Sequence, residues 1–177
     1  FGELTRSGRM RRLRLTAVRA LGEYGLSSPR VRLIRHAGNT LYRVVEADGE
    51  PGSRENDLFI TGQYLLRVHQ PGYQTTEALR LELAWLGAMR READLPVPEP
   101  VLTIDGESLV FVEVPGVPGS RACSLLRWVK GRLITKGIQP RHYRSQGRLM
   151  GRLHDFASKW QPPEGLTKRY YDWNGLF

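Results

Sequence analysis

The sequence predicts an α+β fold in which a five-stranded antiparallel sheet carries one inserted helix. A connector and the start of a second, helical unit follow the sheet. The predicted elements come in the order helix, three strands, helix, two strands, connector and helix. Turn residues separate the strands, as in sheets built from neighbouring antiparallel strands. A helix between the third and fourth strands can cover one face of such a sheet, which gives an α+β layer.

The chain opens with a predicted helix over residues 10–24, where apolar side chains recur at helical spacing and Gly25 supplies a C-terminal stop. Residues 31–35 and 41–45 then read as two strands. Gly38-Asn39 lies between them and favours a tight turn. These residues predict the first β-hairpin.

The third strand combines residues 58–60 and 64–69, with Thr61-Gly62-Gln63 as a bend or bulge. A polar loop, residues 47–57, precedes this strand. Pro71-Gly72 ends the strand, because proline lacks the N–H that a β-ladder needs. A helix over residues 75–93 follows.

Residues 101–104 and 108–113 are β-prone and flank Asp105-Gly106, which predicts a second hairpin. Residues 122–128 read as a further strand. The last predicted helix covers residues 140–160, and its apolar face carries Leu149, Leu153, Phe156 and Trp160.

A domain boundary is expected at the connector that begins at Trp128. Residues 1–127 would form one unit, which includes the leading helix, and residues 128–177 would open the second.

The net charge of +9 reflects 27 basic and 18 acidic residues, and six arginines fall between Arg6 and Arg19. This charge raises the question of a nucleic-acid partner. The segment has an apolar stripe, however, and lacks the interleaved aromatics, zinc ligands or helix-turn-helix pattern that such binders use. We therefore do not expect a nucleic-acid partner.

One cysteine, Cys123, lies in a strand-like run and is expected to be a buried thiol. A single cysteine excludes an internal disulfide framework and favours the reducing cytoplasm. No apolar run approaches the ~20 residues that cross a bilayer, so we expect no membrane partner.

Arg67 and Glu82 draw attention because each is a charge among apolar neighbours. Arg67 is in the middle of the third strand, and Glu82 lies on the apolar stripe of the following helix. A carboxylate that faces a core needs a cation or a proton, and Arg67 is the nearest candidate. Two interpretations stay open here: an ion pair, or an arginine that reaches the sheet edge while Glu82 sits at the rim of the stripe.

Three segments could share one cleft. The hairpin tip Gly38-Asn39-Thr40 can turn backbone N–H groups to phosphate oxygens. The second segment is the pair Arg67 and Glu82. At the third, Leu126-Arg127-Trp128-Val129, a strand is expected to end with unpaired backbone groups that could hold the edge of an adenine ring. Each feature alone also fits an ordinary turn, ion pair or linker.

The sequence resembles the aminoglycoside phosphotransferase and choline/homoserine kinase superfamily from about Ala20 to the end. The resemblance rests on the order and spacing of six short runs: 39–44 (NTLYRV), 66–72 (LRVHQPG), 82–86 (ELAWL), 96–100 (PVPEP), 127–131 (RWVKG) and 149–154 (LMGRLH). The closing 171–177 (YDWNGLF) also fits bacterial members.

The resemblance implies a protein-kinase-like fold that binds ATP with Mg²⁺ and phosphorylates a hydroxyl of a small molecule, such as an aminoglycoside, choline or homoserine. By this analogy Gly38, Asn39 and Thr40 cover the phosphates. Arg67, paired with Glu82, takes the place of the strand lysine. Leu126, Arg127, Trp128 and Val129 form the adenine hinge.

Two departures limit the analogy. Lysine is usual where this chain has Arg67, and the two cations are not interchangeable. The catalytic pattern His-x-Asp-x-x-x-x-Asn of such kinases is absent from the sequence, and His154-Asp155 has the wrong spacing. We expect His154 to be a packing residue on the apolar face of its helix.

We therefore expect the first lobe, hinge and first helices of a small-molecule kinase, with the catalytic residues and metal ligands in a missing C-terminal part. The chain alone is expected to be inactive. The alternative is a non-catalytic, kinase-like or basic nucleic-acid-binding module. An exposed apolar face on the last helix leaves pairing into a dimer open.

Overall fold

The computed structural model of the protein describes residues 4–47, 57–132 and 134–166. Most of the predicted polar loop, the end of the chain after Leu166 and its predicted family motif lie outside these ranges. The described helices and strands are α1 (Arg6–Glu23), β1 (Arg30–Ala37), β2 (Asn39–Val45), β3 (Phe59–Val68), α2 (Thr76–Ala93), β4 (Pro100–Val101), β5 (Val110–Val112), β6 (Arg121–Val129) and α3 (Pro140–Lys159).

The strands form one antiparallel sheet in the order β1-β2-β3-β6-β4, and β5 also pairs with β6. Cys123 of β6 pairs with Val68 of β3 and with Val110 of β5, so β3 and β5 occupy opposite edges of β6. Leu125 pairs with β3 and β4 in the same way. The six strands therefore fill five positions, and the predicted sheet with its inserted helix is confirmed.

The predicted hairpin of residues 101–104 with 108–113 is wrong. β4 and β5 both pair with β6 rather than with each other. The Asp-Gly turn does form, since the Gly106 N–H donates to the Thr103 carbonyl at 3.0 Å. It belongs to an excursion between two pieces of one edge strand. The reason is that β6 offers a long ladder between two buried faces, and burial outweighs a local turn preference.

The core lies between α1 and the sheet. The apolar stripe of α1 packs on side chains from β2, β3, β5 and β6, and the buried members are Leu13, Ala17, Ala20, Leu21, Tyr24, Tyr42, Val44, Leu66, Val68, Val110, Val112, Cys123 and Leu125. A smaller cluster on the opposite face joins α2 to the sheet through Leu79, Leu83, Leu109 and Leu126. The sheet is thus covered by one helix on each face.

The predictions of helix α2 and of the bend in β3 are confirmed. The Thr75 side chain accepts a hydrogen bond from the Ala78 N–H at 3.2 Å and caps the helix. In β3 the pairing register shifts between Phe59 and Tyr64, where Gly62 has φ +66°. A positive φ there is what glycine permits. The predicted bulge is therefore present.

α3 lies outside the core, and all of its own residues are at least partly exposed. It contacts α2 at two points: the Trp85 and Trp160 rings lie 6.4 Å apart, and the Arg152 guanidinium donates to the carbonyls of Ala93 and Asp94 at 2.7 and 3.2 Å. His154 is exposed rather than packed, which corrects the prediction, because few neighbours cover this helix. Among the described residues no helix has the length and apolar character to cross a bilayer.

Candidate functional site

The site is built on the alternation of β3. Leu66 and Val68 point to the α1 face and are almost fully buried. Leu65 packs instead in the cluster beneath α2, and Arg67 shares its face, because side chains two apart on a strand lie on one side. A cation in an apolar strand is therefore presented to the helix that follows it.

Arg67 and Glu82 form the ion pair that the sequence left open. The Arg67 Nη1 lies 2.5 Å from Glu82 Oε1, and Nη2 lies 3.4 Å from Oε2. The two side chains are 16% and 32% exposed, respectively. A two-point contact orients the guanidinium plane as well as neutralising the carboxylate. The alternative, in which the arginine reaches to the sheet edge, is excluded.

A buried polar pair lies beside this ion pair. The His69 Nε2 is 2.9 Å from the Ser124 hydroxyl oxygen, and Ser124 pairs across the sheet with Arg67. Burial, assisted by the nearby Arg67 cation, lowers the pKa of His69 to about 4. The imidazole is therefore neutral at pH 7. Sequence reasoning missed His69 as part of the site. The available signal was the strand period, which places residues 65, 67 and 69 on one face of the sheet.

The hairpin tip is held against the turn after β3. The Asn39 Oδ1 accepts a hydrogen bond from the Gln70 N–H at 3.0 Å, and Gly38 adopts φ +69° at the tip. Thr40 is buried, and its hydroxyl lies 2.9 Å from His36 Nδ1. The side chains of Asn39 and Thr40 are therefore committed to protein contacts. What the tip presents to a ligand is the backbone around Gly38.

The end of β6 is more fully paired than expected. The strand runs to Val129, the Arg127 N–H donates to the Glu99 carbonyl at 2.8 Å, and the Lys130 N–H donates to the Leu58 carbonyl at 2.8 Å. Part of the backbone of residues 126–129 is thus paired, because β3 and the start of β4 flank most of this segment.

One backbone edge of this segment still faces outward. The bond from Lys130 to Leu58 flanks the Phe59–Val129 pair, so the N–H and carbonyl of Val129 point away from β3. The Arg127 carbonyl points to the same edge by strand parity. Among the described residues, the Glu99 N–H does not donate a hydrogen bond to the Arg127 carbonyl in return. A donor and an acceptor two residues apart thus lie along one edge, beyond the start of β4.

The side chains of this segment alternate between the two faces. Leu126 is buried under α2. Trp128 shares its face by parity and has the Arg43 guanidinium 5.0 Å from its ring centroid. Arg127 lies 4.4 Å from the centroid of the Phe59 ring and 3.1 Å from the Glu99 carboxylate. Arg43 is a contact of the hinge that sequence reasoning did not name.

The three predicted segments meet on adjacent strands. Leu41, which follows the hairpin tip, pairs with Arg67, and Arg67 pairs with Ser124 two residues before Leu126. The described ranges contain no group of three His, Cys, Asp or Glu side chains that could hold a metal ion. These residues therefore do not fit a Mg²⁺ site, and Glu82 is already taken up by Arg67. Among the described residues, the arrangement brings a fixed cation, a glycine at a hairpin tip and an aromatic ring onto adjacent strands.

Two comparisons identify what the chain is similar to. The profile of the phosphotransferase enzyme family (APH) matches residues 31–174. The fold is similar to the solved structure of the microcompartment-associated aminopropanol kinase, with a TM-score of 0.70, 26% identity and coverage of 91% of this chain and 46% of that one. It is also similar to the amicoumacin kinase hAmiN in complex with AMP-PNP, Ca²⁺ and Ami, with a TM-score of 0.71, 16% identity and coverage of 97% and 47%.

The chain spans about half the length of these two solved kinases. None of the curated proteins searched matches the chain.

Proposed function

The chain belongs to the phosphotransferase enzyme family, and from that membership we propose that it forms the ATP-binding part of a kinase for small molecules. The whole enzyme transfers the γ-phosphate of ATP to a hydroxyl of its substrate. The observation that carries this proposal is the two-point ion pair between Arg67 and Glu82 beneath the hairpin tip. A strand cation fixed by a helix carboxylate is the device that positions phosphates in kinase-like folds.

Arg67 has the chemistry to hold phosphate oxygens. Glu82 fixes the plane of the guanidinium and occupies two of its nitrogen atoms, which leaves further N–H groups of the same cation for a second anion. The backbone around Gly38, on the neighbouring hairpin, can approach the phosphates closely because a glycine has no Cβ. The role of this chain's residues is therefore to bind and orient the nucleotide.

The outward edge of β6 suits the purine. The Arg127 carbonyl can accept a hydrogen bond from the exocyclic amine, and the Val129 N–H can donate one to a ring nitrogen. Leu65 and Leu126 supply apolar surface on the α2 face of the same strands. Trp128 offers an aromatic ring there, once Arg43 makes way for the purine.

The known relatives support a nucleotide with a divalent cation, since AMP-PNP and Ca²⁺ are bound together in the amicoumacin kinase complex. Mg²⁺ is our proposal for the physiological ion. We derive no step through it, because the described residues do not form its site. We also propose that the chain alone is inactive, because its sequence lacks the His-x-Asp-x-x-x-x-Asn pattern that accepts the substrate proton and binds the metal.

The acceptor is proposed as an alcohol that also carries an amino or quaternary ammonium group. The name of the aminopropanol kinase supports this class, and aminoglycosides, choline and homoserine belong to it as well. We also propose a cytoplasmic location, since the sequence has a single cysteine and so cannot form an internal disulfide. The boundary near Trp128, and a dimer formed through α3, stay predictions.

Titration calorimetry with Mg-ATP tests the proposal. The chain is expected to bind ATP, and Arg67→Ala is expected to weaken binding at least tenfold, because a charge-assisted hydrogen bond contributes about 1.5–3 kcal/mol. Arg80→Ala is the matched control, since Arg80 lies in α2 and, like Arg67, is paired with a carboxylate, that of Glu107, at 3.4 Å. Equal affinities for the two variants would remove Arg67 from the nucleotide site.

A further inference from the structure

A cavity of about 480 Å³, wide open to solvent on its outer side, lies between the N-terminal half of α1 and the edge strand β1, on the sheet face opposite Arg67. Its size is within the range of small-molecule sites. The helix contributes Met10, Arg11 and Arg14, and the first two strands contribute Val31, Arg32, Leu33 and Tyr42. The lining therefore combines an apolar wall with cations.

Among the described residues, the cations of this cavity have no carboxylate partner. Arg11 and Arg14 are exposed, and within the described ranges neither forms an ion pair with a carboxylate. The described part of the chain has no acidic residue before Glu23, and β1 and β2 contain none either. Guanidinium groups near an apolar wall attract anions, because their mutual repulsion is relieved and they present forked N–H donors.

The deepest of these residues is Tyr42, which is only 1% exposed. Its hydroxyl has no hydrogen-bond partner among the described residues. A buried hydroxyl without a partner is costly, and phenylalanine would fill the same space without that cost. Burial raises the pKa of Tyr42 to about 12, with the Arg14 cation acting in the opposite direction. The hydroxyl is therefore neutral at pH 7 and keeps its proton to donate.

We propose that this cavity is a binding site for a small organic anion, meaning a phosphate monoester or carboxylate attached to an apolar group. The apolar group lies against Met10, Val31 and Leu33. The anionic head lies between Arg11 and Arg14 and accepts a hydrogen bond from the Tyr42 hydroxyl. Because Arg11 and Arg14 are exposed, their side chains can turn to admit the head group. The site is independent of the nucleotide site, from which the sheet separates it.

Calorimetric titration of the chain with phenyl phosphate tests the proposal, with benzoate as the carboxylate probe. Arg14→Gln is expected to weaken the binding of the better probe at least tenfold, and Tyr42→Phe several-fold, since each removes a charged or buried donor. Arg19→Gln removes the same charge from an exposed position of α1 outside the cavity and is expected to stay within about twofold. Arg67→Ala is expected to leave the binding unchanged.

Two results would overturn the proposal. The first is an equal loss with Arg14→Gln and Arg19→Gln, which would indicate a general effect of charge. The second is the absence of binding of both probes to the unaltered chain. Thermal unfolding of Tyr42→Phe without ligand serves as the folding control, and its midpoint should match or exceed that of the unaltered protein because no hydrogen bond is lost.

Discussion

At the scale of single residues, the ion pair of Arg67 and Glu82 gains its importance from its degree of burial. The side chains are 16% and 32% exposed, so water screens this pair less than a surface pair, although both side chains stay partly hydrated. A double-mutant cycle with Arg67→Met and Glu82→Gln should give a coupling free energy of about 1 kcal/mol. The measurement is urea unfolding of the four proteins at low salt.

The pair of Arg80 and Glu107 supplies the control for this cycle. Its atoms are 3.4 Å apart, and its side chains are 45% and 56% exposed. Exposed pairs are screened, so its coupling should be below about 0.5 kcal/mol. If both cycles gave the same small coupling free energy, the interaction of Arg67 with Glu82 would be no stronger than that of an exposed ion pair.

His69 makes the stability depend on pH. Its folded pKa of about 4 lies below the ordinary value of 6.5, so the unfolded chain binds the proton more readily between these values. Stability is then complete above pH 6.5 and falls as the pH drops towards 4. This residue should cost roughly 2 kcal/mol between pH 7 and pH 5.

Urea unfolding of the unaltered protein and of His69→Gln at both pH values checks this expectation. Glutamine keeps a polar partner for Ser124 but does not titrate, so its loss between pH 7 and pH 5 should be smaller. The same loss in both proteins would assign the effect to other groups.

At the scale of elements, α2 carries Glu82 to Arg67, and its two ends are fixed by different parts of the chain. Thr75 caps its N-terminus, and Arg152 of α3 donates to the last carbonyls. Thr75→Ala should destabilise the protein by about 1 kcal/mol, because the Ala78 N–H loses its partner. Thermal unfolding measures this change, and Thr75→Ser should restore most of the loss.

Local patterns predicted the helices and the β1–β2 hairpin because these contacts join residues close in the sequence. They failed for β4 and β5, since the Asp105-Gly106 turn signal is local whereas the pairing of both pieces with β6 is decided by a distant strand. Prediction also failed at His154, because its exposure depends on what covers α3.

At the scale of the whole molecule, the order of elements was sufficient to predict the kinase-like sheet. The residue pattern left the pairing of Arg67 with Glu82 open, and only the family resemblance implied it. The committed side chains of Asn39 and Thr40 were not predictable, since each depends on a partner across a turn or strand. The cavity between α1 and β1 was not predictable for a similar reason. It arises from how α1 sits on the sheet, which no residue pattern in α1 encodes alone.

The central claim is that Arg67, fixed by Glu82, holds the phosphates of ATP. Calorimetric titration of the chain with Mg-ATP and with adenosine measures the part of the affinity that the phosphates contribute. In the unaltered protein ATP should bind more tightly than adenosine. In Arg67→Ala the affinity for ATP should fall at least tenfold towards that for adenosine, and the adenosine affinity should not change. An unchanged preference for ATP in Arg67→Ala would contradict the claim.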